Sequence, residues 1–174
     1  MSDLQYPIGK FEIKPGISHE QRLALIESVA QTPARLRAAV ANLSTAQLDE
    51  PYRPGGWTVR QVVHHLPDSH LNAYTRFKLG LTEAEPTIKP YDENGWAMLE
   101  DGRCADPELS LALLDALHKR WVLFLSSVKP EEFTRRINHP ESGILSLDAL
   151  LQGYEWHGRH HVAHITSLRE KKGW

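Results

Sequence analysis

The sequence predicts an all-α four-helix bundle, and three observations lead there. Apolar residues recur at helical spacing in four separate stretches. Each stretch runs roughly 20 to 25 residues, so about 30 Å or a little more, and the lengths match. Each opens on a recognisable helix-start signal, and nothing between them reads as a strand. Matched amphipathic helices joined by loops pack as a bundle. At 174 residues the chain is one domain, 1–174, with enough length for a core.

Helix one starts at Ser18, where Gln21 completes a capping box. Its stripe runs Leu23, Ile26, Val29, Ala30, Pro33, Leu36, Val40 and Leu43. Pro33 lies inside that stripe and the phase continues across it, which predicts a kink more than a break. PYRPGGW (51–57) is a turn, and Thr58 with Gln61 forms a second capping box. Helix two carries Val59, Val62, Val63, Leu66, Ala73 and Phe77 and fades near Leu81. A Pro- and Gly-rich loop follows over 82–105, with room for one short helix; loops this long in a compact domain are often functional lids. Asp106-Pro107-Glu108 opens helix three, which is expected to bury Leu113, Leu114, Leu117, Trp121, Phe124 and Val128. After a loop over 129–145, Ser146 caps helix four, which runs to about Lys171 and stops before Gly173. The second and third connections are long enough to permit something other than simple up-down order.

The formal net charge is −2, with acids and bases mixed along the chain. No basic run suggests nucleic acid, and no apolar stretch is long enough to span a membrane. The first residues lack the apolar core of a secretory signal, so a cytoplasmic location is expected. Cys104 is the only cysteine, which excludes an internal disulfide and a thiolate-cluster metal site.

Ten histidines is a high count, and four of them fall in YEWHGRHHVAHI (154–165). His157 with His161, and His160 with His164, are both spaced to share a helix face and grip one metal ion. The stripe of helix four is Leu147, Leu150, Leu151, Tyr154, Ile165 and Leu168. His157 and His161 continue it and point inward; His160 and His164 sit roughly 60 to 80° round, nearer the rim. A third ligand must come from another helix, and helix two offers His64 and His65. His65 is accompanied by a polar line, Asp68, Ser69, Asn72 and Arg76, which is unusual beside a core stripe unless it lines a cavity. His64 lacks that company, so His65 is the candidate.

GGWTVRQVVHHLPDSHLNAYTRFKLGLTE, KPYDENGW and YEWHGRHHVAHI closely resemble the YfiT-like branch of the DinB superfamily of metal-binding four-helix bundles. The likeness runs from YPIG near the start to GW at the end. In that family the helix-two ligand is the histidine before Leu, here His65, with Pro67 where Ala is usual. The helix-four ligands fall on His157 and His161. The resemblance implies a zinc- or nickel-type ion, a homodimer and a cytoplasmic location. It also implies a metal-dependent hydrolase, or a transferase that joins a low-molecular-weight thiol such as bacillithiol to an electrophile.

Three neutral imidazoles leave a coordination position open, the catalytic pattern, whereas structural zinc is closed by four protein ligands. All-nitrogen donors suit Zn, Ni, Co or Fe(II). The open position suits water, for hydrolysis, or a thiol, for attack on an electrophile. No Glu follows His157, so the H-E-x-x-H base is absent. Asp68 is the candidate proton acceptor or orienter of His65, and Asn72 and Arg76 are candidates to hold a substrate carboxylate. The loop carrying Tyr91, Asp92, Glu93 and Trp96 is a candidate lid. A bundle that binds metal without catalysis, to store or sense it, is the reading from another class; a fourth protein ligand would favour it and a cavity would oppose it.

Overall fold

All four amphipathic stretches fold as helices in the computed structural model, which describes residues 4–174. The first rod is α1 (His19–Ala30) followed directly by α2 (Thr32–Val40). Gln31 joins them with φ −82° and ψ −11°, which keeps the helical phase across the bend. Pro33 is the cause, since it brings no N–H to the Val29 carbonyl four residues back. A single turn, α3 (Thr45–Leu48), precedes the second rod, α4 (Val59–Thr82). Two short helices, α5 (Glu93–Ala97) and α6 (Glu100–Cys104), occupy the long loop where one was expected. The remaining rods are α7 (Pro107–Ser127) and α8 (Leu147–Lys172).

The expected start signals are in place. Ser18 and Thr58 each accept from a Gln N–H three residues on, and that Gln side chain accepts from the cap backbone. Asp106 accepts from Glu108 N, and Ser146 from Ala149 N. Gly173 ends α8 at φ 71°, a left-handed angle that suits glycine. A further capping box, Ser44 with Gln47, opens α3 outside the four expected stretches.

Side-chain packing fixes the order of the rods. The α1–α2 rod packs on α7 and α8, and α4 packs on the same two. The first and second rods therefore lie diagonally, as do the third and fourth. Segments 41–58 and 128–146 cross the bundle ends to make these diagonals. The latter holds an antiparallel hairpin, β1 (Arg136–His139) with β2 (Gly143–Ser146), in register Arg136 to Ser146. This corrects the expectation of no strands; four-residue strands are too short for a period-two pattern to stand out. Two stripe assignments also need correction. Leu23 is 48% and Leu113 49% exposed. On α1 the seam instead takes Arg22, whose guanidinium makes two bonds of 2.7 and 2.9 Å to Asp148. On α7 it takes Leu111 and His118.

The apolar core is in two parts. One gathers Val29, Ala73, Phe77, Trp121, Leu151 and Tyr154 among others; the second gathers Leu36, Val62, Leu66, Leu114, Ile165 and Leu168 among others. Every rod runs from one part to the other. At the crossing each carries polar groups: Thr32, then Ser69 and His70, then His118, then His157 and His161. A polar waist thus divides the bundle at mid-height. Gly158 lets the rods close there, for a Cβ at this position would lie 2.9 Å from both Cγ2 and Oγ1 of Thr32.

Gly158→Ala gains up to about 1 kcal/mol of helix propensity. Overpacking against the buried, β-branched Thr32 costs about 1–3 kcal/mol. Urea unfolding should show a net loss on the order of 1 kcal/mol. Adding Thr32→Ala removes both clashing atoms and should recover most of it. A single variant as stable as the parent would mean the rods part easily at the waist.

Candidate metal centre

At the waist α4 and α8 are neighbours, and there the bundle brings three imidazoles to one point. His65 comes from the first half of α4, and His157 and His161 from successive turns of α8. One ring nitrogen from each lies within 4.8 Å of the other two. His65 Nε2 and His157 Nε2 are 3.2 Å apart. The ring centroids of His157 and His161 are 4.4 Å apart, and those of His65 and His161 4.7 Å. The Trp57 ring walls one side, 4.6 Å from His65 and 6.2 Å from His161. Among the described residues no fourth Cys, His or carboxylate joins the group.

Burial sets the charge state. It holds His65 at about 4, and His157 and His161 well below the ordinary histidine value, with neighbouring histidines adding to the depression. All three rings are therefore neutral near pH 7. A neutral imidazole has one nitrogen lone pair to give. The 3.2 Å between two Nε2 atoms matches neighbouring ligands on one ion, since bonds of about 2.1 Å at 90–109° separate donors by roughly 3.0–3.4 Å. Geometry and donor chemistry fit a borderline divalent ion.

His64 is turned elsewhere. Its Nδ1 lies 2.7 Å from Ser110 Oγ and its Nε2 3.2 Å from the Ala105 carbonyl, so it ties α4 to the start of α7. His160 and His164 stay outside the group but are more buried than a rim position suggests. Residues Gln5 and Tyr6 cover them: His164 Nε2–H donates to the Gln5 carbonyl at 3.1 Å, and Tyr6 packs on His160. His164 also stacks on Tyr52 with centroids 4.0 Å apart, and His160 on Trp156 at 4.3 Å.

The polar line of α4 divides by depth. Ser69 Oγ comes within 3.4 Å of His157 Nε2. Asp68 is half-buried, and desolvation, helped by the negative charge of Asp101, pushes its carboxyl up to about 6. Asn72 Nδ2 donates to the Asp68 carbonyl at 2.9 Å. Arg76 Nη1 donates to Tyr154 Oη at 2.7 Å, while its Nε is buried with no hydrogen-bond partner. The segment expected as a lid does lie against this face. Gln61 Nε2 donates to the Ala97 carbonyl at 2.8 Å and pins α5 to α4. Glu93 and Asn94 line a cavity of about 300 Å³ together with Arg53, Trp57, His161 and His164. The Tyr91 hydroxyl is buried close to Ser69, and burial pushes its pKa up, so it remains a donor.

His70 and His118 are not among the site residues expected from the sequence. His157 Nδ1 lies 3.1 Å from His70 Nε2; His70 Nδ1 lies 2.7 Å from His118 Nε2; His118 Nδ1 lies 2.8 Å from the Val29 carbonyl. A signal for them is present. His70 falls in the series Leu66, His70, Ala73, Phe77, and His118 in Leu114, His118, Trp121, Leu125, each a histidine on an otherwise apolar stripe.

Known proteins resemble this chain along its whole length. It is 52% identical over 174 residues to a protein of Bacillus mycoides (strain KBAB4) named as a candidate metal-dependent hydrolase, covering all of both chains. A protein of Bacillus thuringiensis subsp. konkukian (strain 97-27), named in the same words, matches at the same 52% over all of both chains. Among solved structures, YfiT from Bacillus subtilis superposes with a TM-score of 0.96 at 50% identity over 98% of each chain. It is described as a probable metal-dependent hydrolase with an unusual four-helix bundle topology. TT2238, a four-helix bundle protein, shares the fold, with a TM-score of 0.54 at 20% identity over 90% of this chain and all of the other. The model of the DinB superfamily matches residues 28–165, and with relatives at this identity the chain belongs to the DinB superfamily.

Proposed function

We propose that this chain is a metal-dependent hydrolase in which His65, His157 and His161 hold one divalent ion, zinc or nickel. One observation carries the reading. Three neutral nitrogen donors, His65 and His161 buried and His157 partly so, converge beside a cavity, and no fourth Cys, His or carboxylate closes the group among the described residues. A structural ion would want four protein donors. When bound, such an ion lowers the pKa of a coordinated water toward 7 and polarises a substrate carbonyl.

The chain's own residues do the rest. Asp68, with a carboxyl near pH 6, is ionised at neutral pH yet basic enough to accept the proton of the attacking water. Arg76 Nε is a buried donor with no partner, and the side-chain oxygen of Asn72 is left over when Nδ2 bonds to Asp68 O; these two are suited to hold a polar group of the substrate. Trp57 and the α5 segment restrict water around the cluster. The reading includes a homodimer in the cytoplasm, the first of which light scattering on the purified protein tests.

A second reading rests on Arg53. Its guanidinium lines the cavity beside His161 and suits the carboxylate of a low-molecular-weight thiol such as bacillithiol. In that case the ion, when bound, would lower the pKa of the thiol so that its proton is lost to solvent, and the thiolate sulfur would form a bond to the electrophile as the bond to its leaving group breaks. Turnover of an ester and amide panel against a thiol-plus-electrophile panel, metal-replete, separates the two. No turnover in either panel, with metal bound, would favour a storage or sensing role.

Two predictions follow the residues. The base form of Asp68 is the ionised one, so ester or amide hydrolysis should rise with pH through about 6 and level off above it. Asp101 and Tyr91 are charged or titratable groups that interact with that carboxyl. Asp68→Asn should remove that rise and lower the rate on the order of a hundredfold. A thiol transfer would be nearly indifferent to the change.

Elemental analysis provides the second check. His161→Ala should lose most of the ion, because one of three donors is gone. His160→Ala and His164→Ala should keep about one ion per chain. The reverse pattern would place the ion on the other histidine pair.

A further inference from the structure

The three-imidazole cluster is backed by two more histidines that make no contact with the cavity. His70 and His118 are 1% and 2% exposed, in a part of the bundle where a polar ring needs a reason. Their hydrogen bonds form one line from the cluster to the backbone of the first rod: His157, His70, His118, Val29. The end of that line fixes the direction of the rest. A carbonyl can only accept, so His118 Nδ1 carries the hydrogen and its Nε2 carries the lone pair. His70 Nδ1 must then donate to His118 Nε2, which leaves His70 Nε2 as acceptor. His157 Nδ1 must donate to it. The Nε2 lone pair of His157 is thereby left to the cluster, 3.2 Å from His65 Nε2 and 3.4 Å from the Ser69 hydroxyl.

Val29 has the carbonyl to spare for a reason written in the sequence. In an unbroken helix it would accept from the N–H of residue 33, but that residue is proline. Gly158 is what lets α8 come close: a side chain there would lie 2.9 Å from Thr32 and 3.5 Å from His70 Cε1. Burial keeps His70 and His118 neutral, as the one-donor, one-acceptor pattern requires.

We propose that His70 and His118 are positioning residues that, anchored on the Val29 carbonyl, hold His157 as its Nδ1–H tautomer and aim its Nε2 lone pair at the cluster. The proposal rests on the reading of His157 as a metal ligand, and its consequence is the affinity of the site. His118 acts through His70 from two rings away. With His118 replaced by an apolar residue, His70 loses the acceptor that keeps its hydrogen on Nδ1. It can then turn to the Nε2–H form, which forces His157 to carry its own hydrogen on Nε2, where the ion must bind.

The test has two readouts. Long-range ¹H–¹⁵N correlation on the metal-free full chain reports the tautomer of each ring. His157, His70 and His118 should all be Nδ1–H; an Nε2–H His157 in the parent protein would overturn the proposal without any variant. Zn²⁺ affinity is then measured by competition with a chelator, with helicity checked by circular dichroism. His70→Leu and His118→Leu should each weaken binding roughly ten- to a hundredfold. His70→Gln should restore most of it, because its side-chain oxygen can replace Nε2 as acceptor. In His118→Leu the His157 tautomer should shift as well. Folded His70→Leu and His118→Leu proteins that bind Zn²⁺ as tightly as the parent would refute the positioning role. Absence of Zn²⁺ binding in the parent would instead overturn the metal reading.

Discussion

A layer of imidazoles lies where a four-helix bundle would ordinarily be driest, and the rest of the structure answers to it. A buried polar group left unpaired costs about 1–3 kcal/mol, so most nitrogens of the waist are paired, and an unpaired one such as His161 Nδ1 stands out. Two apolar clusters, above and below, supply the burial that holds the rods together. Between them His70 and His118 have both ring nitrogens within hydrogen-bonding distance of another group. His157 has Nδ1 against His70, and its Nε2 faces His65 with the Ser69 hydroxyl alongside. What the hydrogen bonds do not absorb is a set of lone pairs converging from two helices, and a divalent ion is the chemistry such a convergence suits.

That arrangement depends on features of the first rod and of α8 that look unrelated in sequence. Pro33 bends α1 into α2 and releases the Val29 carbonyl, which the waist then uses as its terminal acceptor. Gly158 removes the one Cβ that would hold α8 away from Thr32. Ser28, at the same level, donates to Glu155 at 2.7 Å, and Glu155 is held in turn by Arg159. The diagonal placement of consecutive rods matters as well. It makes α4 and α8 neighbours, which brings His65 to His157, and α4 and α7 neighbours, which brings His70 to His118.

Much of this is legible in the amino-acid sequence. Stripe phase and the capping residues mark the four rods, because helix ends and amphipathic faces are local properties. The polar company of His65 separates it from His64, and the phase of α8 separates His157 and His161 from His160 and His164. The parts that are not legible depend on non-local packing. His70 and His118 lie on apolar stripes, and a stripe argument passes over a residue that breaks its polarity. Leu23 and Leu113 fit a helical period yet face outward, since the true seam includes Arg22, buried only because Asp148 meets it. His160 and His164 read as rim residues because nothing in α8 announces that Gln5 and Tyr6 fold over them. The β1–β2 hairpin is too short to leave a pattern.

The division between rods and connections also separates two tasks. The converging nitrogens sit on long packed helices, and His157 is also held from behind by His70; rigid support of this kind is the condition for holding a site to within a fraction of an ångström. The cavity beside them is lined partly by connecting segments: Arg53 from 41–58, Glu93 and Asn94 from α5. Such segments tolerate substitution far better than a packed waist does. A change at Arg53 or Asn94 alters what the cavity accepts and leaves the imidazole line untouched. A change at Thr32, His70 or Gly158 disturbs the nitrogens without touching the cavity wall. The imidazole geometry and the lining of the cavity are therefore built on different parts of the chain, and each can change with the other kept.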